Sequence, residues 1–276
     1  MTIVKYKPTS AGRRLSSVNR RKLATANDKR LRRRQPKISG RNNQGKITIR
    51  HRGGGARQHY RVIDFLREKF NIPARVLAIA YDPNRSADLA VVQYADGDKR
   101  YIIAADNLKI NDTIVSSETG LEIKTGNNMP LQFIPDGQAV HCVELHRGGG
   151  AKIGRSAGNS LVLMGKENGM VQLKMPSGEV RLISEKCRAS IGNVSNSEHA
   201  NIRWGKAGRM RHRGIKPTVR GKAMNPVDHP HGGGEGNQPI GLKHPKTPWG
   251  KPALGVKTRK SKSSDQLIIK RRNAKK

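Results

Sequence analysis

Residues 228–236, Asp-His-Pro-His-Gly-Gly-Gly-Glu-Gly, hold two histidines, two acids and four glycines in nine positions. His229 beside Asp228 has the composition of a general acid–base pair. His229, His231 and His244 with Asp228 also have metal-ligand types, but His-Pro-His aims both rings one way only if extended, and no thiolate is near. A third chemistry is contact with RNA. The glycine run lets backbone approach backbone closely, Arg209, Arg211, Arg213, Arg220 and Lys222 suit phosphates, and histidines with Trp204 and Trp249 can stack on bases. No nucleophile or substrate pocket accompanies the His–Asp pair. The RNA reading is therefore preferred, with no metal and no catalytic group expected and His229 as the one catalytic candidate.

Two other stretches share the glycine vocabulary. His-Arg-Gly-Gly-Gly-Ala occurs at 51–56 and again at 146–151. Three glycines uncover backbone N–H groups and permit positive φ, and beside basic residues they form an anion nest. Arg52, Arg57, Arg147, Lys152 and Arg155 flank the two copies, which favours phosphate contact over the other reading, flexible hinges between strands. The sequences around the copies do not match, so they do not mark a domain duplication. Phosphate-loop and dinucleotide signatures are absent from the chain.

The elements that must carry these motifs differ along the chain. Net charge is +35 with a pI near 11.1, an excess that repels itself unless a polyanion neutralises it. Residues 1–60 hold 18 Lys and Arg against one acid, 61–202 hold 17 against 16, and 203–276 hold 20 against three. A nearly neutral centre thus bears two basic arms. No apolar run is long enough for a membrane helix, which leaves nucleic acid as the favoured partner. Only Cys142 and Cys187 are present, which fits a reducing compartment and excludes a thiolate zinc finger.

The centre predicts short strands at 74–82, 89–96, 99–105, 138–145, 161–165, 170–175 and 179–184, rich in Val, Ile and Leu and separated by turn residues such as Asp96-Gly97 and Asn168-Gly169. This spacing suggests antiparallel sheets forming small barrels, with a boundary near residue 130. Residues 20–37 suit a basic helix ending before Pro36. The C-terminal arm carries seven of 14 prolines and 11 of 30 glycines without apolar periodicity, so it is expected to become ordered on an anionic partner. Aromatic residues make up only 4 % of the chain, too few for a base-stacking sheet platform.

The run PTVRGKAMNPVDHPHGGGEG (217–236) resembles the signature of the universal large-subunit ribosomal protein family numbered two, in its bacterial or organellar form. KYKPTSAGRR (5–14), GRNNQGKIT (40–48), RHRGGG (50–55), YRVIDF (60–65), YDPNRSA (81–87), GDKRYI (97–102), RSAGN (155–159) and TPWG (247–250) agree with it in order along nearly the whole chain. Position 222 departs from the family, having Lys in place of a small residue, and 15–37 is unusually arginine-rich. Because the resemblance begins at residue 5, no cleaved transit peptide is expected.

The resemblance implies an all-β fold. Residues 1–60 would be a basic extension, 61–130 an OB-type barrel, 131–202 an SH3-like barrel, and 203–276 a Gly/Pro-rich extension ordered by rRNA. It implies a structural role on large-subunit rRNA near the subunit interface and the peptidyl-transferase region, in a cytoplasmic or organellar ribosome. Small-subunit rRNA and neighbouring ribosomal proteins would be further partners. No membrane or small-molecule substrate is implied, and no cofactor beyond Mg2+ carried by rRNA. The family histidine proposed to assist peptide-bond formation falls on His229. Expected rRNA contacts are Arg13, Arg14, Arg41, Arg50, Arg52, Arg57, Arg147, Lys152, Arg209, Arg211, Arg213, Arg220, Lys222, His229, His231, Lys246 and Trp249. Tyr60, Arg61, Arg85, Arg100, Arg155 and Arg188 would make oriented contacts from the centre, while Arg67, Lys69 and Arg75 read as a solvated face.

Overall fold

The computed structural model describes residues 3–272 apart from 22, 26–27 and 37–38. The chain divides into two compact units. One comprises 1–36, 57–206 and 264–276, the other 37–56 and 207–263.

The larger unit holds two antiparallel sheets. In the first, β1 (Ala74–Tyr81), β2 (Leu89–Tyr94) and β3 (Lys99–Ile103) run in sequence order, and β4 (Thr113–Ile114) pairs with the start of β1 on the edge away from β2. The register shift between Val76 and Ala78 lets β1 bend, as bulges do, and the sheet curls as a half-barrel. Val76, Ala90, Val92, Tyr94, Ile102 and Ile114 fill its inside. Leu89, Tyr101 and Ile103 meet Ile63 and Val194 in an adjoining cluster, so β2 and β3 are buried on both faces. The β1–β2 turn is an Asx turn, in which the fully buried Asp82 accepts from the Asn84 N–H (2.9 Å) and from Arg85 Nε (2.7 Å).

The second sheet contains β5 (Asn128–Pro130), β6 (Ala139–His141), β7 (Leu161–Glu167), β8 (Met170–Lys174), β9 (Val180–Ser184), β10 (Arg188–Ile191) and β11 (Ile268–Lys270) in the order β5-β10-β6-β7-β8-β9-β11. Leu161, Leu163, Val171, Leu173 and Ile183 alternate inward along three of these strands onto Met129, Leu131 and Ile191. Asn168 (φ 50°) and Gly169 (φ 73°) supply the two positive-φ positions of a tight β7–β8 hairpin. The observed strands fall within a few residues of those expected from sequence, and the class is all-β.

The stretch 20–37 corrects an expectation. Among its described residues there is no helix. Arg32–Arg34 pairs antiparallel with His59–Arg61, and Ala24–Thr25 lies parallel to the end of β1. A helix here would stack like charges three and four residues apart, whereas an extended chain sends successive arginines to opposite sides.

The smaller unit is built differently. Among its described residues the only α-helix is the short Ala207–His212, and none of the buried ones is hydrophobic. Backbone bonds hold it together. The Thr48 and Ile49 N–H groups donate to the Gly40 carbonyl (2.8 and 3.0 Å), Lys216 N–H to the His51 carbonyl (2.9 Å), and Thr247 N–H to the Lys251 carbonyl (2.7 Å). It carries 18 Lys and Arg against Asp228 and Glu235, a net of +16.

Candidate nucleic-acid interface

The 228–236 segment folds on itself. Asp228 and His229 N–H groups both donate to the Asn225 carbonyl (3.0 and 3.3 Å), Gly232 N–H to the His229 carbonyl (2.8 Å), and Gly233 N–H to the Met224 carbonyl (3.1 Å). The glycines are required by this turn. A Cβ on Gly221 would overlap the His229 ring, and one on Gly232 would overlap the Asn225 carbonyl. His229 is buried, and its Nδ1 accepts the backbone N–H of His231 at 3.0 Å. His231 Nε2 in turn accepts the Lys246 N–H at 2.9 Å, and the two rings lie 4.7 Å apart.

A ring nitrogen that accepts an N–H carries no proton of its own. The remaining His229 nitrogen, Nε2, therefore bears the ring hydrogen and is a donor, the wrong sense for a general base. Desolvation, and then the charges of His229, Lys246 and Lys222, push the His231 pKa down, which suits its accepting role. No hydrogen bond or ion pair joins Asp228 to His229 among the described residues, so the sequence-adjacent acid–base pair is not assembled. No group of three metal-ligating side chains occurs among the described residues.

The two His-Arg-Gly-Gly-Gly-Ala copies have different surroundings. In the first, Gly53 N–H donates to the Gly214 carbonyl (3.0 Å), Ala56 N–H donates to the His212 carbonyl (2.8 Å), and Arg52 bridges to Ile215. A Cβ on Gly55 would lie 2.7 Å from the Gly214 nitrogen. This copy is a backbone seam. The second copy turns between Val143–Glu144 and Ala151–Ile153, and Gly148 (φ 71°) has nothing within 4 Å of its Cβ direction.

The arginines of the larger unit sort by burial. Arg61 and Arg188, selected from the sequence as oriented rRNA contacts, are buried. Arg61 donates to the His59 carbonyl (2.9 Å) near Asp82, and Arg188 pairs with Glu144 (3.1 Å) and lies over Phe70. Arg100 is held by Asp64 and Asp98, both at 2.9 Å, while Arg85 and Arg155 flank Phe65 at 5.8 and 4.9 Å. Tyr60 is half-buried opposite Arg33.

The sequence reading missed Arg67. It is buried, donates to Ser116 Oγ (2.9 Å) and has its pKa pulled down by desolvation. Its only sequence signal is its place between Phe65-Leu66 and Phe70. Lys69 bonds Asp96 and Asp98, which raise its pKa, and Arg75 bonds Asn111.

The exposed cations lie elsewhere. Arg14, Arg41, Arg50, Arg52, Arg57, Lys152, Arg211 and Arg220 are exposed and have no carboxylate partner among the described residues. Arg13 sits over Tyr6 at 4.9 Å. Arg209, Lys222 and Lys246 are half-buried, Arg213 is exposed, and Trp249 is 77 % exposed. Exposed guanidinium and ammonium groups and an uncovered indole are the side-chain types that bind phosphates and stack on bases.

Comparison with protein families identifies two domains. Residues 28–116 match the RNA-binding N-terminal domain of ribosomal proteins L2, and 124–250 match the C-terminal domain. The chain belongs to the ribosomal protein L2 family. It is an RNA-binding protein of the large ribosomal subunit and works in translation as a structural constituent. The break between the two L2 domains, 117–123, falls between β4 and β5, where one sheet gives way to the other.

Proposed function

We propose that the protein is an rRNA clamp of the large subunit. The exposed cations of 37–56 and 207–263, with Arg13, Arg14, Arg57 and Lys152, neutralise rRNA phosphates, and the two sheets form the rigid body from which they are displayed. The site of action is the subunit interface and peptidyl-transferase region, where small-subunit rRNA and neighbouring ribosomal proteins complete the contact and subunit joining is supported. The ribosome is cytoplasmic or organellar, and metal enters only as Mg2+ carried by the rRNA.

The observation that carries this reading is the +16 unit without a buried hydrophobic residue among its described residues. Such a unit lacks the apolar burial that offsets chain entropy and repels itself, so a polyanion is the partner that stabilises it. Affinity for rRNA is measured against salt. With about ten phosphates neutralised, log K falls against log salt with a slope of roughly −7 to −9. A flat dependence would sink the proposal.

His229 enters as a positioning group that holds the 221–246 turn against RNA. Large subunits bearing His229→Ala, once shown to be complete and able to join, are expected to form the peptide bond within a few-fold of the parent rate. A positioned base contributes about 10² to 10⁴ in rate, so a loss of that size in complete particles would return His229 to the chemistry.

A further inference from the structure

We infer that the second His-Arg-Gly-Gly-Gly-Ala loop borders a pocket for one unpaired nucleotide of RNA; this rests on the clamp reading and adds to it a site that grips a base. A groove of about 370 Å³ lies beside the loop, within the range of ligand pockets. Leu66, Phe70 and Pro130 give it an apolar wall, and Leu66 is 40 % exposed. Arg188 covers Phe70 at 4.9 Å and is itself held by Glu144, so the wall is braced from behind.

The rim supplies the charge. Arg147 and Lys186 are exposed beside Gly148, whose positive φ and open flank bring backbone within reach of a phosphate. Arg147 meets Glu118 at 3.5 Å, but with side chains 65 % and 55 % exposed this is a weak pair that a phosphate can displace. Glu68 and Glu118 share the rim with the two cations, so the phosphate is placed at Arg147, Lys186 and Gly148, and the apolar slot beside them fits the base of a splayed-out nucleotide. A continuous duplex fits poorly, because its bases are stacked away from any slot. An apolar peptide side chain would use the wall but leave the rim unused.

The test replaces Leu66 with photoreactive p-benzoylphenylalanine in the full chain assembled into ribosomes, with Val219, exposed in the basic unit, replaced in parallel. The expected result is an adduct between position 66 and a single unpaired rRNA nucleotide. Adding Arg147→Ala and Lys186→Ala, both on exposed side chains, is expected to lower that adduct about tenfold, in line with the worth of a phosphate-anchored stacked base, while the Val219 adduct persists.

An rRNA adduct from 219 alone, or a protein adduct from 66, would overturn the pocket and leave the clamp standing. Adducts from 66 scattered over paired nucleotides would also overturn it. Failure of both positions to reach RNA would overturn the clamp as well.

Discussion

The two His-Arg-Gly-Gly-Gly-Ala segments are identical for six residues and do opposite things. At 51–56 the glycines are consumed by the chain itself. Gly55 lies so close to Gly214 that no Cβ fits between the two backbones, and the Gly53 N–H donates to the Gly214 carbonyl beside it. At 146–151 the same letters cap a two-stranded turn, and Gly148 faces open space. A glycine run therefore marks backbone that must come close to something, and only the fold says whether that something is protein or ligand. The first copy sits in a unit with no buried hydrophobic residue among those described, where such seams replace a core. The second sits against a sheet with a dense apolar core and is free to face outward.

That contrast can be broken by experiment. The largest effect is expected at the seam. Gly55→Ala adds a methyl 2.7 Å from the Gly214 nitrogen at φ 85° and should cost about 3 kcal/mol or more from clash and left-handed strain together. Hydrogen exchange at Lys216, whose N–H bonds the His51 carbonyl, should rise sharply in this variant. Similar exchange in parent and variant would mean the seam is not closed.

The apolar unit has its own sensitivity, which the seam unit lacks. Burial lowers the His141 pKa to about 4 from 6.5, and its Nδ1 bonds the Gly192 carbonyl at 2.9 Å. The unfolded chain takes up this proton at higher pH than the folded one. Stability is thus full above pH 6.5 and is lost as pH falls toward 4, by about 3 kcal/mol. Denaturant melts of the protein between pH 7 and 4 should show the loss, and His141→Gln should flatten it.

At the open copy, Gly148→Ala meets no atom and should cost only the positive-φ strain, about 1 kcal/mol in thermal unfolding. A cost equal to that at Gly55 would erase the distinction. Smallest of all is Glu118→Gln, which removes an exposed ion pair and should change stability by less than about 1 kcal/mol.

Much of this was legible beforehand, for physical reasons that can be named. Strands announce themselves by alternation, so Leu161, Leu163, Val171 and Leu173 pointed to the second sheet before its partners were known. Charge blocks are additive and need no geometry, so the basic arms stood out as well. Arg61, Arg67 and Arg188 did not. An arginine reads the same whether it faces solvent or a buried carboxylate, and its partner, such as Glu144 for Arg188, lies 44 residues away. The 20–37 stretch misled because its helix-forming residues were judged one at a time, while His59–Arg61 supplied a ladder that local propensity cannot see. At 228–236 the composition suggested a dyad, but the turn spends His229 Nδ1 on a backbone N–H.

The basic unit is made of two insertions. The chain leaves the sheet-bearing unit at 36 and returns at 57, then leaves at 206 and comes back at 264 to lay β11 on β9. Every residue of the clamp is therefore tethered covalently on both sides. One nick within 207–263 cuts the covalent tether, and the downstream piece then stays only through the pairing of β11 with β9. A surface so rich in Lys and Arg, and so inviting to trypsin-like proteases, therefore keeps its parts after a single cleavage only as long as that short strand stays in its sheet.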